Sequence, residues 1–167
     1  MRKSTMLVLL TLCLGIAFTG CSKETETVTE TVTQVEKVNQ YTVDPNSLYS
    51  RLGGSESIAA VVDQFIANVV ADNRINGDFA ATVSNEYRTK AFRNNLVDQV
   101  CAGSGGPCYY KGKSMAEAHV GQNVTEADFN ALVEDLVAAL DQFNVPAKEK
   151  NDLLAILAPM KNDIVGK

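Results

Sequence analysis

Ser114-Met115-Ala116-Glu117-Ala118-His119-Val120-Gly121 carries the only histidine among the chain's 167 residues. Ser114 and Glu117 have the S-x-x-E spacing of a capping box. The hydroxyl accepts from the backbone N–H three residues on, and the carboxylate reaches back to the serine N–H. Gly121 supplies a residue that tolerates positive φ and stops the turn. The spacing predicts a short, well-fastened helix with His119 in its last turn.

A single imidazole excludes much. No G-x-S-x-G accompanies it, so a Ser-His-Asp hydrolase has no nucleophile motif. No C-x-x-C is present and the neighbouring carboxylates read as helix surface, so a zinc site lacks ligands. From the residues alone two readings stay open. His119 is either hydrogen-bonded in or near a core, or the one proximal ligand that a haem iron needs.

Outward from this stretch the body is acidic. The formal net charge is −5, and loss of Arg2 and Lys3 with a leader makes it two units more negative. Without a basic stripe the chain is not expected to bind nucleic acid, where affinity rests on Lys and Arg at phosphates. Arg2-Lys3 followed by apolar Met6 to Phe18 reads as a targeting segment, too short for a comfortable membrane span. The segment ends Phe18-Thr19-Gly20-Cys21, which resembles the bacterial lipoprotein signal box, although Phe18 replaces the usual aliphatic residue. That resemblance implies a signal peptide over 1–20 and a lipid on Cys21. It also implies a membrane-anchored protein facing the periplasm, with Ser22 favouring the outer membrane. An ordinary secretory leader or an uncleaved anchor is the alternative.

Residues 21–46 read as a Thr- and Glu-rich tether that cannot bury a core, able to span roughly 80 Å when fully extended. Cys13 falls in the leader. Cys101 and Cys108 flank a loop rich in Gly, and in an exported compartment they either pair or remain two buried thiols. A bridge over so short a loop contributes roughly 2–3 kcal/mol by chain entropy.

The folded domain is expected over 47–167. Ser47 to Leu52 allows a short helix stopped by Gly53-Gly54, after which Ser55 is expected to cap a strong helix. There Ile58, Val61, Val62, Phe65 and Val69 form an apolar stripe, with Ile66 and Val70 widening it. Asn73 to Val83 reads as irregular around a lone Phe79. Between Ser84 and Ala102, Phe92, Leu96 and Val100 share one helix face, with Val97 and Cys101 beside them and Gly103 as the stop. Thr125 and Asp128 open a further helix whose stripe is Phe129, Leu132, Val133, Leu136, Leu140 and Phe143. A last helix follows Pro146, with Leu153, Ile156, Leu157, Met160 and Ile164 inward and a bend at Pro159. No strand pattern survives, so the class is all-α.

The ordered set of motifs resembles the truncated haemoglobins, most closely group I. It comprises Leu48-Tyr49-Ser50-Arg51-Leu52-Gly53-Gly54, then Asp72-Asn73-Arg74-Ile75 leading to Phe79. Gly105-Gly106-Pro107-Cys108-Tyr109-Tyr110-Lys111-Gly112 follows, then Met115-Ala116-Glu117-Ala118-His119, and Val124-Thr125 with Phe129. The resemblance implies a two-over-two helical sandwich around one haem b. His119 would be the proximal iron ligand and Phe79 would pack on the porphyrin face. Met115, Val124, Phe129 and Leu132 would line the proximal and edge regions. Ile66, Phe92, Leu96 and Val100 would face the other side of the iron, with Arg88, Lys90 and Arg93 as partners for the propionates.

The departures from that family bear on the ligand. Where the family usually has a tyrosine this chain has Ile66, and Leu96 stands where a glutamine is frequent. Dioxygen on iron carries partial negative charge, so losing the donor removes a bond of roughly 1.5–3 kcal/mol. Oxygen would be held about tenfold to a hundredfold more weakly. The resemblance thus implies a binder of O2, CO or NO with an apolar distal pocket. Tyr87, Asn95 and Tyr110 are the donors the helix pattern leaves unplaced. The alternatives are a nitric oxide dioxygenase or peroxidase-like haem enzyme, and a haem-free helical adaptor with a structural His119.

Overall fold

A computed structural model describes residues 42–167, so the leader and nearly all of the tether, Cys21 included, lie outside the described residues. Every element among the described residues is helical. Helix α1 (Leu48–Arg51) is capped by Ser47, whose hydroxyl accepts from the Ser50 N–H. Gly53 and Gly54 then turn the chain at φ 89° and 78°, a left-handed bend that only glycine adopts without strain. Helix α2 (Gly54–Ala71) therefore begins from Gly53 rather than from Ser55. The Ser55 N–H instead donates to the Tyr49 hydroxyl at 3.1 Å.

Along α2, Ile58, Val62, Phe65 and Val69 are buried as the stripe requires. Val70 is not part of it and stands 44% exposed. At 100° per residue it lies about 120° round the helix from Ile58, while Ile66, at about 80°, sits on the margin. Segment Asn76–Val83, expected to be irregular, is a helix, α3, and it packs on α2 and α4. With one large apolar residue and Gly77 in its first turn, it has no stripe to announce it. Its helicity comes from its neighbours.

Helix α4 (Glu86–Gly103) starts at Asn85, whose side chain accepts from the Arg88 N–H. Gly103 is its last residue, and the positive φ of 87° falls two residues later, at Gly105. Helix α5 (Met115–His119) and helix α6 (Glu126–Gln142) both carry the full capping boxes, Ser114 with Glu117 and Thr125 with Asp128. Phe143, assigned to the buried stripe of α6, lies past its end and is 45% exposed. Helix α7 (Ala147–Leu157) follows Pro146. At Pro159 the chain tightens to a 3-10 turn over Ala158–Met160 before helix α8 (Lys161–Ile164), which is the bend the proline dictates.

The helices form a two-over-two sandwich with α2 at its centre. It packs on α4 to one side and on α6 to the other. Phe65, Val69, Ile75, Ala131 and Ala139 make one core cluster. Ile58, Val62, Val97 and Cys101 make a second between α2 and α4. Leu48, Leu140 and Leu153 join α1, α6 and α7 in a third. Cys101 and Cys108 form a disulfide with Cα atoms 5.7 Å apart. It closes beside Gly106, where a Cβ would run into the Tyr49 ring and Cys101 Sγ, so a side chain there would force its neighbours to shift.

Candidate functional site

The capping box forms as the sequence requires. Ser114 Oγ accepts from the Glu117 N–H at 3.3 Å, and Glu117 Oε2 accepts from the Ser114 N–H at 3.0 Å. The Ser114 hydroxyl and N–H together hold the Glu117 carboxyl below its ordinary range. This fastens a five-residue helix whose last residue is His119. The imidazole Nδ1 lies 2.7 Å from the Met115 carbonyl. A carbonyl can only accept, so Nδ1 carries a proton, and in the neutral ring Nε2 then keeps its lone pair. One nitrogen is fixed and the other is free for a metal.

The ten residues singled out from the sequence share one property. Ile66, Phe79, Phe92, Leu96, Val100, Met115, His119, Val124, Phe129 and Leu132 are all half-buried. On α4 the contrast is plain: Val97 is 9% and Cys101 0% exposed, while Phe92, Leu96 and Val100 beside them stay open to solvent. Large apolar side chains left half-covered, next to a packed core, suit an apolar body that the protein itself does not supply.

These residues fall into two sets. Ile66, Phe79, Leu96 and Leu132 pack against the first core cluster, and Ile66, Leu96 and Val100 also pack against the second. Phe92 joins them through Phe79, ring centroids 5.7 Å apart. The other set gathers around α8 and the chain's end. Helix α5, with Met115 and His119, packs on α8. Lys161 of α8 lies 5.8 Å from the Phe129 ring centroid. The Gly166 N–H donates to the Val124 carbonyl, and the Asn123 N–H donates to the Lys167 carbonyl. Sequence reasoning missed this clamp at the end of the chain, since backbone pairing of distant residues leaves no periodic signal.

Between α2 and α4 an ion pair closes the edge of the first set. Arg93 donates from Nη2 to Asp63 Oδ2 at 2.8 Å, and the guanidinium holds the Asp63 carboxyl below the usual carboxylate range. Lys90 pairs with Glu86 at 2.6 Å. The candidate polar donors do not join the apolar set. Tyr87 is 81% exposed, Asn95 is exposed, and the Tyr110 hydroxyl donates to the Lys113 carbonyl at 2.8 Å. Among the described residues no three His, Cys, Asp or Glu side chains converge to hold a bare metal ion. The donor set is thus one imidazole amid apolar side chains. That suits a metal carried in a macrocycle that brings its own remaining ligands.

The sequence profile of the bacterial-like globins matches residues 47–165. The group 1 truncated haemoglobin of Tetrahymena pyriformis is 33% identical over 123 residues, covering 74% of this chain and 98% of its own length. Group 1 truncated haemoglobin GlbN of Mycolicibacterium paratuberculosis is 32% identical over 121 residues, covering 72% of this chain and 85% of its own. The crystal structure of the T. pyriformis protein in its Fe(III) form superimposes with a TM-score of 0.66. That match is 31% identical and covers 73% of this chain and 100% of the other.

Proposed function

This chain belongs to the group 1 truncated haemoglobins, within the bacterial-like globins, and on that premise we propose how its own residues serve a haem. The family membership carries haem b and a diatomic gas such as oxygen with it, and sets aside the haem-free adaptor. His119 is the proximal ligand. The observation that carries this reading is the 2.7 Å contact of Nδ1 with the Met115 carbonyl. Such a bond fixes the tautomer and ring orientation and raises the basicity of the ligating nitrogen. When bound, the haem would supply an iron able to take up a small diatomic ligand.

Phe79 would pack against the haem, Met115, Val124, Phe129 and Leu132 would line its proximal side and edge, and Ile66, Phe92, Leu96 and Val100 would line the ligand side. Arg93 and Lys90 are engaged by Asp63 and Glu86, which leaves exposed Arg88 as the preferred propionate partner. The ligand side is dry. Dioxygen gains from an O–H or N–H facing it, whereas carbon monoxide, much less polarised, gains little. Weakly retained oxygen, with comparatively strong carbon monoxide and nitric oxide binding, is the expected behaviour. The exposure of Tyr87 and the engagement of Tyr110 with Lys113 support it.

The test is spectroscopic. Purified protein should show an intense Soret band, His119→Ala should abolish or shift it, and added imidazole should restore the ferrous spectrum by replacing the lost ring. Stopped-flow oxygen release as slow as in tyrosine-stabilised relatives would overturn the dry-pocket reading. The same chain is read as a lipoprotein anchored through Cys21, which holds this globin at a membrane facing the periplasm.

A further inference from the structure

Gln99 lies on α4, three residues beyond Leu96 and next to Val100, and it is half-buried. Its Nε2 donates to two thioethers, Met115 Sδ at 3.6 Å and Met160 Sδ at 3.3 Å. The amide carries two hydrogens, so each sulfur can take one. Met115 is the first residue of α5, and its carbonyl is the acceptor that orients His119. Met160 closes the 3-10 turn that leads into α8, the element on which α5 packs. One side-chain amide therefore ties the helix bearing Leu96 and Val100 to the two elements that seat the histidine.

We propose that Gln99 is a positioning residue for His119, acting through Met115. The proposal rests on the reading of His119 as the iron's proximal ligand. A five-residue helix has no stability of its own, so its placement is set by what grips it. The Ser114–Glu117 box fixes its start, but only Gln99 among the described side chains reaches Met115 from α4 by a hydrogen bond. Where Met115 sits decides where its carbonyl points, and that carbonyl decides the rotation of the imidazole about its own axis. Thioether sulfur is a weak acceptor, so a half-buried amide here gives up better partners in water. Packing alone would be served as well by leucine.

The experiment compares the haem-loaded protein with Gln99→Leu, Gln99→Glu, Met115→Leu and the Gln99→Leu/Met115→Leu double variant. Gln99→Glu keeps the shape and removes the donor. Met115→Leu keeps the backbone carbonyl and removes the sulfur. The readouts are the iron–histidine stretching band of the ferrous protein by resonance Raman, the rate of haem loss, and amide hydrogen exchange in the haem-free protein. All three single variants should move or broaden the band in the same direction, and the double variant should go no further than Gln99→Leu. Haem loss should quicken by about two- to tenfold, the worth of one modest hydrogen bond. Exchange should rise over residues 115–119 in the haem-free protein while α2 and α6 stay as they were.

An iron–histidine band that is unchanged in Gln99→Glu and Met115→Leu would overturn the proposal, as would single-variant shifts that simply add. A wild-type haem protein whose ferric and ferrous spectra are unchanged by His119→Ala would overturn the His119 assignment, and this proposal with it. The two failures are distinguished by whether His119→Ala alters the haem spectrum.

Discussion

Ile66 stands on the margin of its helix's apolar stripe, packed against two core clusters yet half-open on its remaining side. That margin is where a side chain can touch both the core and a bound group, so on the proposed reading the chemistry chosen there would act on the ligand directly. Ile66→Tyr places a phenol O–H where the resemblance to group I implies one. Oxygen dissociation should slow by about tenfold to a hundredfold, the kinetic equivalent of one charge-assisted bond of roughly 1.5–3 kcal/mol. Carbon monoxide dissociation should change little. Overpacking by the larger ring costs about 1–3 kcal/mol at a closed site and less at a half-open one. Stopped-flow release of both gases from one preparation reads the effect. Equal slowing of the two would mean that the ring merely blocks the exit.

Helix α5 holds the histidine with two kinds of fastening, and they respond to different conditions. The first is the capping carboxylate. Glu117 is held below its ordinary 4.5 by the Ser114 hydroxyl and N–H, and Asp128 is held below its ordinary 3.8 by Thr125 in the same way. A carboxyl whose folded value is depressed stabilises the fold fully above its unfolded value, and the contribution is lost as pH falls through the folded value. Haem loss should therefore accelerate as the pH drops below the ordinary carboxylate range. Glu117→Gln should flatten part of that acid dependence while raising the rate at neutral pH. The second fastening is the Cys101–Cys108 disulfide, which ties the end of α4 to the segment that leads into α5. Cys108→Ser should lower stability by roughly 2–3 kcal/mol in urea unfolding, and added thiol should do the same to the parent protein. The helices with an apolar period were legible in advance: α2, α4, α6 and α7 each show a face in the sequence that the fold buries in whole or part. Helix α3 was not, because one phenylalanine makes no period. Val70 and Phe143 were misplaced where a stripe was extended beyond the geometry or the length of its helix. The histidine's neighbourhood was half legible. The capping box is a local pattern, but Gln99 meets Met115 and Met160 across 16 and 61 residues, a pairing that no spacing rule exposes.

At the scale of the molecule the question is where such a globin is held. Among the described residues no helix is long and apolar enough to cross a membrane. The proposed hold on a bilayer rests on the start of the sequence, where Phe18-Thr19-Gly20-Cys21 resembles a lipoprotein box. A single acyl chain binds a membrane marginally, whereas multiple chains on one cysteine anchor stably, since each buried CH2 adds about 0.8 kcal/mol. An acidic body, net −5 over the whole chain, gains nothing from anionic headgroups, so a lipid on Cys21 would have to hold it unaided. Cys21→Ser should then move the protein wholly from the membrane fraction to the soluble exported fraction. Fatty-acid labelling should vanish with it, while the Soret band and gas dissociation rates stay as in the parent, because the tether and the site share no residues. Retention in the membrane fraction after Cys21→Ser would mean an uncleaved apolar leader is the anchor, and the mass of the purified chain would then include residues 1–20. If both forms are soluble and unlabelled, the leader is an ordinary secretory one. On the lipoprotein reading, a tether that spans at most roughly 80 Å when fully extended would set how far from the membrane the globin meets electron donors. Shortening residues 22–45 should leave ligand kinetics in solution untouched and slow only reduction by membrane-bound donors.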